Sequence, residues 1–146
     1  MTRRSTILLL GGLLAAIALD AAAADVGRIK VTAGDAFVER EGKRIPAAVD
    51  AGVRASDTVV TGPNGSVGIT FSDNSRVSAG PNSTLVLNRY NFDQATHEGA
   101  FDATLKRGTL AVVSGRMAKL SPEAVKVRTP SMILGVRGTE FLVYAE

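Results

Sequence analysis

The feature that most constrains this chain is a two-residue alternation of apolar and polar side chains that recurs along most of its length. Val67, Ile69 and Phe71 alternate with Gly68, Thr70 and Ser72. Val77 with Ala79, Leu85 with Leu87, and Phe101 with Ala103 and Leu105 follow the same rule. So do Leu110 with Val112, Val125 with Val127, and Phe141 with Val143. A period of two puts every second side chain on one face, which is the pattern of a strand with one side buried. Turn formers sit between the runs: Glu41-Gly42, Gly62-Pro63-Asn64-Gly65, Asp73-Asn74, Gly80-Pro81-Asn82, Arg107-Gly108 and Ser114-Gly115. Each supplies a positive φ, a fixed φ or a side chain that bonds its own backbone. Beyond residue 24 no segment keeps a 3.6-residue period for three turns. The pattern predicts an all-β domain of roughly ten short strands.

A repeat narrows the architecture. Gly62-Pro63-Asn64-Gly65-Ser66 returns 18 residues later as Gly80-Pro81-Asn82-Ser83-Thr84. Each copy follows one strand and precedes another. A unit of that length fits one coil of a β-solenoid, with apolar rows stacked between coils. The expected form is β-solenoid-like, a short β-helix or flattened sandwich. Chance recurrence of a common loop sequence in an ordinary sandwich is the alternative.

The first 24 residues read differently. Arg3 and Arg4 precede an uncharged apolar run over residues 7–19, and Ala22-Ala23-Ala24 supplies small residues for cleavage before Asp25. This is the grammar of a secretory signal peptide, formed as a helix and then removed. The run is shorter than the roughly 20 residues a spanning helix needs. The expected domains are a signal peptide at 1–24 and one β domain at 25–146, in the periplasm with no stable membrane insertion after cleavage. Losing Arg3, Arg4 and Asp20 takes the net charge from +3 to +2. The remaining charges are scattered, without a basic cluster interleaved with aromatics, so no nucleic-acid partner is expected. With no cysteine, disulfides and thiolate sites are ruled out.

Catalysis needs a nucleophile and a base within reach of each other. The one histidine, His97, lies in a polar stretch with Asp93 and Glu98, which reads as a solvated hairpin loop. Asp35, Asp50, Asp57 and Asp73 stand near turns, where Asp caps backbone amides. No enzyme activity, cofactor or metal is expected. Arg137 sits at a strand–turn junction beside Gly138. Its five donors suit neighbouring backbone carbonyls, and the other reading is a guanidinium offered to a partner's carboxylate.

Thr129-Pro130-Ser131 followed by Gly135-Val136-Arg137-Gly138-Thr139-Glu140-Phe141 resembles the terminal signature of the FecR domain. The stretches 57–61, 65–75 and 105–110 resemble it too, so the likeness covers about residues 27–143. The signature residues Thr129, Pro130, Val136, Arg137, Gly138, Thr139 and Phe141 are read as structural. The resemblance implies a β-solenoid-like fold and a role in sensing or regulation at the Gram-negative envelope. The family's founding architecture adds an anti-sigma segment, a membrane helix and a receptor-meeting domain. This sequence resembles only the stand-alone FecR-like domain. What carries over is an interaction module that contacts another envelope protein, with envelope signalling as its setting. The alternative is a domain that binds cell-wall or other polysaccharide, for which Tyr90, Phe92 and Tyr144 are the rings available to stack on sugars.

The last alternating run places Phe141 and Val143 toward the core and Leu142 and Tyr144 outward. An apolar outer face on an uncovered terminal strand suits strand addition, by a second copy or by a partner. The other reading is that an earlier strand at residues 26–31 already pairs there. On the leader reading, mass spectrometry of the periplasmic fraction is expected to find an N-terminus within a few residues of Asp25. A full-length product held in the inner membrane would contradict it.

Overall fold

Strands form where the alternation runs, and its breaks fall either at tight turns or at register slips inside β1, β8 and β9. A computed structural model describes residues 24–135 and 140–146; the predicted leader lies outside these, apart from Ala24. The strands are β1 (Gly27–Ala33), β2 (Ala36–Arg40), β3 (Lys43–Pro46), β4 (Gly52–Val53), β5 (Thr58–Thr61) and β6 (Ser66–Phe71). They continue with β7 (Arg76–Ala79), β8 (Thr84–Phe92) and β9 (Gly99–Val113). A five-residue helix, α1 (Arg116–Leu120), and a single 3-10 turn at Pro122–Ala124 precede β10 (Val125–Arg128), β11 (Ile133–Gly135) and β12 (Glu140–Ala145). The all-β expectation holds. The described residues contain twelve strands against the roughly ten expected, because β3 and β4, of four and two residues, are too short to show an alternation.

β9 organises the pairing. Its first half lies antiparallel to β8 and parallel to β10. Its second half lies antiparallel to β7 and β12. One half-sheet therefore runs β4-β1-β6-β7-β9-β12 and the other β3-β2-β5-β8-β9-β10-β11. The sheet curls so that the two halves face each other across one core. Phe71 from one half meets Tyr90 and Phe101 from the other, with ring centroids 5.1 Å apart in both contacts. Leu85, Leu87, Leu105, Leu110 and Val127 are fully buried around them. Each such side chain contributes roughly 1.5–3 kcal/mol by leaving water.

Arg107-Gly108, read from the sequence as a turn, is instead a bend inside β9. Between Leu105 and Arg107 the pairing with β8 slips by one residue, and Gly108 takes a φ of 102°. The inward set changes there from Phe101, Ala103 and Leu105 to Leu110 and Val112. The bend is tied to a buried serine. Ser83 Oγ accepts from the Thr109 amide at 3.0 Å, and the Ser83 amide donates to Thr61 Oγ1 at 2.9 Å. A Cβ on Gly108 would fall onto Ser83 Oγ and Cα.

The solenoid expectation is not met by this pairing. Solenoid coils stack parallel in register, whereas here β6 pairs antiparallel with β7, and β5 antiparallel with β8. The cause is the Asp73-Asn74 turn, with Asn74 at φ 67°, which sends β7 back along β6 in the same half-sheet. The two Gly-Pro-Asn copies carry the chain between half-sheets, from β5 to β6 and from β7 to β8. They lie side by side: the Asn82 amide donates to the Gly62 carbonyl at 3.0 Å, and Thr61 Oγ1 donates to the Gly80 carbonyl at 2.6 Å. The repeat is real as an end-cap, though it does not build coils.

Polar ties close the remaining gaps. Asp73 is 1% exposed, yet its carboxylate accepts from the Ser75 amide and hydroxyl and from Tyr90 OH at 2.9 Å. It also caps α1 through the Met117 amide. Burial, ahead of the nearby Asp73 charge, pushes the Tyr90 phenol far above its ordinary range, so it stays a donor. Asp57 holds Arg40 through two short contacts, at 2.9 and 2.8 Å, and caps the Arg54 amide. Arg128 on β10 grips Asp102 on β9, and that hydrogen bond holds the Asp102 carboxyl below the usual carboxylate range. Replacing Gly108 with Ala is expected to lower unfolding free energy by roughly 2–3 kcal/mol, through the positive φ and the clash with Ser83. Urea denaturation measures it; a loss under about 0.5 kcal/mol would mean the strand does not depend on this bend.

Candidate functional site

A strand at the border of a sheet presents unpaired amides and carbonyls, so borders are where a β domain is either guarded or open. The borders here are β3, β4, β11 and β12. β3 carries Lys43, Arg44 and Pro46, which discourage pairing. β4 has two residues and β11 three. β12 runs six residues with no proline or lysine, and pairs on one side with β9 from Glu140↔Val113 to Ala145↔Gly108.

The side chains of β12 alternate as the sequence predicts. Val143 is 2% exposed and Ala145 7%, and Phe141 is half-buried against the same core. Leu142 is 75% exposed and Tyr144 70%. A shallow concavity of about 480 Å³ runs beside the strand, lined by Ala111, Val112, Val113, Glu140, Phe141 and Leu142. The alternative that the strand at residues 26–31 covers this border is corrected by the register: β1 pairs with β6 and β4, at the far side of the half-sheet.

The other signature residues divide. Thr129 closes the β10–β11 turn, its amide donating to the Met132 carbonyl and its hydroxyl accepting from the Met132 amide. Pro130 is exposed just beyond the end of β10, where no ladder amide is required. Val136, Arg137, Gly138 and Thr139 lie outside the described residues, so both readings of Arg137 rest on the sequence.

The polar loop holding His97 is a hairpin end. Asp93 Oδ1 accepts from the Ala95 and Thr96 amides, and the His97 ring stacks on Phe92 at 5.8 Å. Among the described residues no three His, Asp or Glu side chains gather as a metal cluster. Of the rings weighed for sugar stacking, Tyr90 is a core residue at 6% exposure, a correction, and Phe92 is half-buried. The cause at Tyr90 is a slip in the β8–β9 register between Leu87 and Arg89, which sets Asn88 and Arg89 outward together and turns Tyr90 in. The sequence reading missed a second slip, in β1 between Ile29 and Val31, which leaves Lys30 and Val31 both exposed. No local signal marks either position.

A curled, mostly antiparallel sheet defines an all-β domain, and among the described residues β12 is a border strand of it with one paired side. The FecR protein family model matches residues 57–146, well over half of the chain, and the chain belongs to that family. FecR domains are associated with regulators of envelope signalling. The match begins at Asp57, so β1–β4 lie before it, although they pair into the same two half-sheets. No curated protein and no solved structure matches the chain. The geometry of β12 gives an internal comparison: Val143→Ala is expected to cost roughly 1–3 kcal/mol and Leu142→Ala under about 0.5 kcal/mol. Thermal or urea unfolding of the two variants checks it, and equal losses would contradict the assigned faces.

Proposed function

We propose that this chain is an exported envelope module that acts by protein contact, with β12 receiving a strand of its partner. The observation that carries the reading is the six-residue β12 border, with Leu142 and Tyr144 exposed along it. Main-chain bonds to such a border supply affinity, and the outward side chains select the partner. The partner is a second copy of the chain or another envelope protein. Membership of the FecR family supports a regulatory setting. The basic n-region, apolar run and alanine tract support a periplasmic location. Among the described residues no helix is long and apolar enough to cross a membrane.

Replacing Leu142 with Lys and Tyr144 with Glu keeps the strand but makes its outer face charged. The double variant is expected to lose self-association in sedimentation, or to lose the partner that the wild type retains from periplasmic extract, with an unchanged circular dichroism spectrum. A monomeric wild type whose double variant retains the same partner equally well would refute the role of this edge.

A further inference from the structure

The main-chain groups of β12 can be assigned to a side. In an antiparallel ladder the N–H and C=O of one residue point the same way, and successive residues alternate. The Thr109 carbonyl accepts from the Gly80 amide at 3.0 Å, and the Thr109 amide donates to Ser83 Oγ. Thr109, Ala111 and Val113 therefore direct their main-chain groups toward β7, and Leu110 and Val112 turn theirs toward β12. The register sets Val143 against Leu110 and Phe141 against Val112. Glu140, Leu142 and Tyr144 are left with amides and carbonyls directed away from β9. The same three residues carry the exposed side chains of the strand. Among the described residues no strand other than β9 pairs with β12.

We infer that β12 pairs with β12 of a second copy of the chain, antiparallel about a two-fold axis at Leu142. The inference rests on the reading of β12 as a border that receives a strand, and it names the strand. In this register Leu142 faces Leu142 of the second copy, and Glu140 faces its Tyr144. Each facing pair joins residues whose main-chain groups point at one another, so each exchanges two hydrogen bonds. Leu142 also gains the second copy's Tyr144 as a diagonal neighbour, within reach of an aromatic side chain. The concavity lined by Ala111, Val113, Glu140 and Leu142 lies beside the row that this ring enters. Charge supports the same register. Glu140 is the one charged residue of the strand, and it faces an uncharged tyrosine. Moving the axis to Val143 would set Glu140 against Glu146 of the second copy, and like charges directly opposite are destabilising. The other borders compete poorly, since β3 carries Lys43, Arg44 and Pro46, and β4 and β11 have two and three residues. A strand that pairs with its own copy closes a dimer and builds no fibre. A six-residue edge makes a small interface, so the dimer dissociates on dilution.

Sedimentation equilibrium tests it on the wild type and on variants at these exposed positions, with circular dichroism to confirm that each is folded. The wild type should reach a dimer and no larger species. Leu142→Lys and Leu142→Glu each set like charges face to face on the axis, and each should weaken self-association about tenfold or more. An equal mixture of the two sets opposite charges there and should recover association to within about threefold of the wild type. Tyr144→Lys, facing Glu140, should associate at least about threefold more tightly than Tyr144→Glu. A wild type still monomeric at about 1 mM would overturn the inference, as would a dimer insensitive to the Leu142 variants or a mixture no better than either variant alone. If the monomeric wild type retains another protein from periplasmic extract, and Leu142→Lys with Tyr144→Glu loses it, the second copy is excluded while the reading of β12 as a receiving border stands.

Discussion

One strand belongs to both halves of this sheet, and the rest of the structure hangs from it. β9 pairs with β8 and β10 through its first half and with β7 and β12 through its second. A straight strand cannot border two half-sheets that face each other. The slip near Lys106 and the positive φ at Gly108 let β9 change direction and move its inward set by one position. Ser83, fully buried beneath the bend, satisfies the Thr109 amide that the irregularity frees. The core then closes because Phe71, Tyr90 and Phe101 arrive at one place from both halves.

The polar ties matter because they sit where the ladder is interrupted. A buried carboxylate left without partners would cost several kcal/mol. Asp73 meets that cost with hydrogen bonds from Ser75, Tyr90 and the Met117 amide of α1, so one side chain joins the β6–β7 turn, β8 and the helix. Asp57 performs the corresponding task at the other end, bridging Arg40 of β2 to the turn before β5. Both residues are turn-capping Asp in the sequence, and both gained a long-range partner that spacing alone does not reveal.

What the sequence makes legible is the local part. Alternation identified the inward residues of β6, β7, β9, β10 and β12 because burial on one face imposes a period of two. Glu41-Gly42 and Asp73-Asn74 marked tight turns because few residues tolerate a positive φ. What was not legible depends on pairing partners. The β-bulges at Lys30, Asn88 and Lys106 shift parity through contacts with other strands, which is why Tyr90 looked exposed and Arg107-Gly108 looked like a turn. The 18-residue repeat was visible, but whether its copies stack parallel or meet as crossovers is decided by the hairpin between them. For the candidate edge, the faces of Leu142 and Tyr144 were readable from alternation, whereas the open border required the register of β1.

The fold and the proposed role meet at β12, which among the described residues pairs with β9 on one side only. Residue-resolved amide hydrogen exchange tests this most directly, measured on dilute protein and again with the partner bound or at concentrations where the chain self-associates. The account predicts that β12 amides directed at β9 exchange slowly throughout. Those directed outward exchange quickly in the dilute protein and become protected only on association. Outward amides of β12 as slow in the dilute monomer as those of β9, or unaffected by association, would contradict it.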